Sequence, residues 1–198
     1  VLNGRMYLMG GEYQFASLSD VWSSADGLNW QLEADNLWPA LTAYPGVPAL
    51  AGRSWFSSTV YKGRLWIMGG YNSFIQVSTQ VWSSGDGANW TLEGESFPTT
   101  TSTRCPVEVM NGRMYMLGDQ SGYDREVWSS TDGSTWTLET ATAPQAQESV
   151  VKGGKWWLVS STARRVANSP DAATWPSPCV PWNKRVEGGR TQLNTRTC

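Results

Sequence analysis

The chain has 198 residues, and a hydrophobic share of 40 % with 13 tryptophans supplies ample material for a buried core. A charged fraction of 16 % and a net charge of −2 form neither a nucleic-acid footprint nor an acidic tail, so no nucleic-acid partner is expected. The complete lack of histidine excludes a Ser-His-Asp triad and any His-ligated zinc or copper site, and apolar runs such as MYLM at 6–9 are too short to span a bilayer.

In chain order the first element is NGRMYLMGG from Asn3, apolar on both parities and stopped by glycines, which is how a strand buried on both faces reads. It recurs as KGRLWIMGG from Lys62, NGRMYMLGD from Asn111 and KGGKWWLVS from Lys152. The next element, VWSSADGLNW at 21–30, returns as VWSSGDGANW at 81–90, VWSSTDGSTW at 127–136 and a decayed VANSPDAATW at 166–175. Spacings of 60, 46 and 39 residues between the opening valines belong to stacked modules. Each VW phrase alternates and then meets Asp-Gly, so hairpin turns are predicted at Asp26-Gly27, Asp86-Gly87 and Asp132-Gly133. A further strand is predicted upstream of the apolar phrase at 53–61, 104–110 and 146–151, giving four strands per unit except in the first, which lacks it.

RSWFSSTVYKGRLWIMGG at 53–70, followed by VWSSGDGANWTLE at 81–93, resembles the kelch repeat: an Arg, an apolar strand, a small turn, a strand ending in Gly-Gly, then spaced aromatics. The resemblance covers roughly 3–176 and departs from the kelch pattern at Phe56, at Gly118-Asp119 and at Ser160-Ser161. It implies an all-β fold, a β-propeller of four-stranded antiparallel blades. The expected units are about 1–51, 52–103, 104–145 and 146–175. They make about four blades or partial blades, expected as an arc of a larger propeller in preference to an unusual four-bladed ring, and the open edges of an arc invite self-association. The start at Val1, inside a unit, is read as a piece of a longer protein or a processed product, so the compartment is unreadable. From 176 to 198 three prolines and a net charge of +3 read as a disordered tail.

The Ser-x-Asp-Gly-x-x-Trp phrase also resembles the sialidase Asp-box with one residue fewer, and Asp26, Asp86, Asp132 and Asp171 are expected to bind local backbone amides. Glu33, Glu93 and Glu139, Arg5, Arg64 and Arg113, and the paired tryptophans of each VW phrase recur in register, as residues that build the repeat do. Neither a catalytic set nor a cofactor or metal site is expected. Cys105 reads as a buried thiol, whereas Cys179 and Cys198 could be bonded or free.

Specificity is expected in what varies. The loops after the apolar strands bring Tyr13 and Phe15, then Tyr71, Asn72 and Phe74, then Asp119, Tyr123, Asp124 and Arg125. Aromatic rings beside polar groups suit a protein partner and equally a glycan. The long connection at 34–52, with Trp38 and Tyr44 among prolines, is expected to join that rim. The leading expectation is a non-enzymatic module that binds a protein through these loops. The alternative is an extracellular glycan-binding or sialidase-like propeller.

Overall fold

Each apolar phrase and the VW phrase after it become adjacent antiparallel strands. In a computed structural model, residues 1–14, 16–37, 52–72, 76–98, 105–118, 125–146, 148–160, 165–175, 183–187 and 190–194 are described. Among them the chain is all-β and contains no helix. The first sheet has three strands, β1 (Met6–Tyr13), β2 (Ala16–Ser24) and β3 (Gln31–Ala34). The second has four: β4 (Ser57–Tyr61) and β5 (Arg64–Met68), then, after the small ribbon of β6 (Tyr71–Asn72) and β7 (Gln76–Val77), β8 (Val81–Ser84) and β9 (Trp90–Gly94). The third repeats that order in β10 (Val107–Met110), β11 (Arg113–Leu117), β12 (Val127–Ser130) and β13 (Thr137–Thr140). The fourth keeps three strands, β14 (Glu148–Lys152), β15 (Lys155–Ser160) and β16 (Arg165–Ser169). In the tail β17 (Asn183–Glu187) pairs with β18 (Arg190–Asn194), where the sequence reading expects irregular chain. The Gly188-Gly189 pair between them is itself a hairpin signal that the proline count obscured.

The tight two-residue turns fall at a different place from the one the Asp-Gly signal predicts. Asn111-Gly112 joins β10 to β11 with both residues at positive φ, 51° and 73°, the backbone that a type I′ hairpin requires. Lys62-Gly63 does the same between β4 and β5. The Asp-Gly pairs instead sit inside longer loops, 25–30 in the first sheet.

Three buried clusters hold the sheets together, and each draws on two consecutive sheets. Val21 of the first sheet meets Ile67 and Trp82 of the second. Trp66 and Met68 of the second meet Met114 and Met116 of the third, and Tyr115 and Leu117 of the third meet Trp156 and Leu158 of the fourth. Strand β11 thus buries even positions one way and odd positions the other, the two-sided strand that its apolar run predicts. β10 lies beside both β4 and β14, and Ser149 Oγ donates to Glu108 Oε1 across that junction at 2.7 Å.

Inside each of the first three sheets a buried serine links an arginine to a glutamate. Arg5 Nε donates to Ser23 Oγ (2.8 Å), which donates to Glu33 Oε1 (2.5 Å). Arg64, Ser83 and Glu93 repeat this chain of bonds, as do Arg113, Ser129 and Glu139. The arginine and glutamate lie 3.7–3.8 Å apart in every copy. Their recurrence in sequence therefore has a structural cause.

Candidate binding rims

The strands end at two opposite rims, and the two are built from different chemistry. One carries the Ser-x-Asp-Gly loops. Ser24 Oγ accepts the N–H of Gly27 (2.9 Å) while donating to Asp26 Oδ1 (3.0 Å). Asp26 Oδ1 accepts the N–H groups of Leu28 and Asn29, both at 2.8 Å, and Oδ2 accepts Asn29 Nδ2 at 2.8 Å. Trp30 Nε1 closes the loop by donating to Gly27 O at 3.2 Å. Asp86 with Trp90, and Asp132 with Trp136, repeat the loop nearly atom for atom. These carboxylates are occupied in folding the chain locally, so the loops need no ligand to explain them.

The same bonds hold all four aspartates below the ordinary carboxylate range, chiefly through the backbone N–H of Asn29, Asn89, Thr135 and Thr174 respectively. The Asp171 carboxyl lies at about 2. A depressed folded pKa stabilises the fold above the unfolded value, near 3.9, and that contribution is lost as pH falls through the folded value. Melting temperature is therefore expected to hold down to about pH 4 and to drop toward pH 2. The drop should persist in high salt, because hydrogen bonds rather than exposed ion pairs cause it. Asp86→Asn, which keeps an acceptor but does not titrate, should shrink it; an unchanged acid profile for that variant would show that the loops carry no pH dependence.

The opposite rim holds those variable residues that are described. Tyr13 ends β1 with 65 % of its surface exposed. Two backbone bonds bring the second sheet beside it, Gly11 N–H to Arg53 O and Arg53 N–H to Leu18 O, both 3.0 Å. Ser54 and Tyr71 then exchange backbone bonds at 3.0 and 2.8 Å, which sets Trp55 over Tyr71. The two rings stack with centroids 5.8 Å apart and planes at 28°. Trp55 remains 45 % exposed and has φ of 60°.

Arg53 anchors this rim from inside. It is fully buried, donates to Gly69 O at 3.4 Å and to Gln80 Oε1, and burial pushes its guanidinium down to about 10. Gln80 Oε1 also accepts Trp82 Nε1 at 3.3 Å, tying the rim to the core tryptophan.

The structure therefore brings Tyr13 and Tyr71 to one end of the first two sheets. Arg125 stands at the corresponding end of the third, where Nε donates to Ala143 O (2.7 Å) and Nη2 to Thr142 O (3.3 Å). Asn72 pairs with Gln76 in β6–β7. Phe15, Phe74, Asp119, Tyr123 and Asp124, with most of the 34–52 connection and both Cys179 and Cys198, lie outside the described residues. Cys105 is buried. Trp55 is the rim residue that sequence reasoning missed, because it sits within what reads as a core strand. Its one sequence signal is that the aromatic follows Arg-Ser and precedes Phe56, breaking the small and apolar alternation.

No protein family and no curated protein matches the chain. Among the described residues no helix is long and apolar enough to cross a membrane, and no group of three or more His, Cys, Asp or Glu could hold a metal ion.

Proposed function

We propose that this chain is a non-enzymatic binding module, a kelch-like arc of β-propeller blades, that takes a protein partner on the rim bearing Tyr13, Trp55 and Tyr71. Consecutive sheets sharing buried clusters, with first strands β4, β10 and β14 side by side, support the blade reading. The observation that carries the binding reading is Trp55. A left-handed backbone costs a non-glycine residue about 1–2 kcal/mol, and a strained backbone that persists is a pointer to function. Here the strain presents an indole outward, stacked on Tyr71, with nearly half of its surface in water. Large, rigid, partly wet aromatics of this kind are the anchors of protein interfaces.

The test is a partner selected from a displayed protein library on the full chain, then titrated against variants. Trp55→Ala and Tyr71→Ala are expected to weaken it by about thirtyfold or more, the effect of a hot spot of about 2 kcal/mol. Tyr13→Ala should leave stability within about 0.5 kcal/mol. The two nearly parallel rings favour one further reading, a platform for a sugar face. Saturable binding on a glycan array, or turnover of aryl glycosides, would replace the protein-partner reading with that one.

A further inference from the structure

The contact between consecutive sheets follows one rule, and the two outer faces of the array each hold half of it. On the leading side a sheet presents an aromatic from its apolar strand: Tyr7, Trp66, Tyr115 and, by register, Trp157 in the fourth sheet. The next sheet receives it at the glycine of its Asp-Gly loop. A Cβ on Gly87 would lie 2.6 Å from the Tyr7 ring, and one on Gly133 would lie 2.3 Å from the Trp66 ring. The leading sheet also caps the next sheet's loop tryptophan: Phe97 meets Trp136 edge to face at 5.2 Å, and Leu37 shares a cluster with Trp90.

Among the described residues no other sheet fills the receiving half of the first sheet, and at Gly27 a Cβ would meet only the sheet's own flexible Met6, its Cε 3.2 Å away. Leu8 is 59 % exposed, whereas its counterparts by register, Ile67, Met116 and Leu158, are at 0–1 %. Trp30 is 40 % exposed, and the loop residue Leu28 is at 85 %. The fourth sheet has the presenting half. Trp157 Nε1 donates to Lys152 O as Trp66 Nε1 does to Tyr61 O. Beside it Val159 is 37 % exposed, where its counterparts Met68 and Leu117 are at 0 and 2 %.

We infer that the first sheet's open face is a docking surface for the fourth sheet of a second copy of this chain, with Trp157 entering at Gly27 and Val159 covering Leu8. The argument is continuity: this would be a fourth instance of a contact that the chain already makes three times, between halves that are both uncovered in one molecule. It is a heterologous contact, which either closes into a ring or extends.

Sedimentation of the full chain against concentration tests it, with Leu8→Asp and Val159→Asp as variants at exposed positions and circular dichroism as the folding control. Wild type is expected to self-associate, and each variant alone to weaken association at least tenfold. Their equimolar mixture should form a one-to-one dimer, because one chain keeps the receiving face and the other the presenting face. A wild type that stays monomeric at its highest soluble concentration would overturn the inference, whether its own fourth sheet or another segment covers the face. A Val159→Asp chain that associates like wild type, or a mixture that stays monomeric, would do so as well. Should Val159→Asp fail to fold, Trp157→Ala takes its place in the same mixing experiment.

Discussion

Trp82→Ala is expected to lower the unfolding free energy by about 3–5 kcal/mol, the range for truncating a buried large aromatic. Trp82 is 4 % exposed and packs with Val21, Leu37 and Ile67 between the first two sheets. Its loss opens a cavity there and removes one donor from Gln80, which also accepts from the buried Arg53. Trp22 holds the same place in the first sheet, paired across to Leu8 and Leu32, but on the face that no other sheet covers among the described residues. Trp22→Ala should therefore cost about 1–2 kcal/mol, the typical range for a partly exposed site. Urea titrations with unchanged m values measure both. Equal costs for the two tryptophans would mean that burial between sheets is not what Trp82 contributes.

Gly133→Ala should be markedly more damaging than Gly112→Ala, which measures how much of the effect is backbone alone. Both glycines have positive φ, 77° and 73°, so both variants lose about 1–2 kcal/mol to left-handed strain. At Gly112 a Cβ would meet nothing within 4 Å, whereas at Gly133 it would lie 2.3 Å from Trp66 Cζ3. Overpacking of that kind adds about 1–3 kcal/mol, so Gly133→Ala should reach about 2–5 kcal/mol in total. Combining it with Trp66→Leu should restore part of the loss, since the smaller side chain vacates the contested volume. The fourth sheet shows what accommodation looks like: Ala172 occupies the corresponding loop position at φ of 63° and is fully buried in the cluster with Tyr115.

The repeat made strand type and sheet boundaries readable in sequence, because a run that is apolar on both parities can be buried in one way only. The four strands that open each repeat phrase, β1, β5, β11 and β15, start within three residues of where the apolar runs begin. Turn type was not readable from dipeptides. Asn111-Gly112 and Asp132-Gly133 carry the same hairpin signal, but Ser130 and Asp132 supply side-chain acceptors for the loop amides, and those bonds favour a longer loop over a two-residue turn. Trp55 escaped for a related reason. Its backbone is set by the Ser54–Tyr71 bridge and by Arg53 reaching Gly69 and Gln80, contacts distant in sequence that no local window contains. Arg125, a candidate polar contact for a partner, also donates to the carbonyls of Thr142 and Ala143, bonds that no local window contains.

The division of the interior into three clusters, each shared by two consecutive sheets, also bears on how such a chain changes over generations. A substitution in one sheet strains at most the two clusters that the sheet touches, so the other units keep their sequence solutions. Duplication of a whole unit inserts a sheet whose two faces already match its new neighbours, and a unit can be lost on the same terms. In a chain built this way, length is a heritable variable that can drift independently of the packing inside each unit.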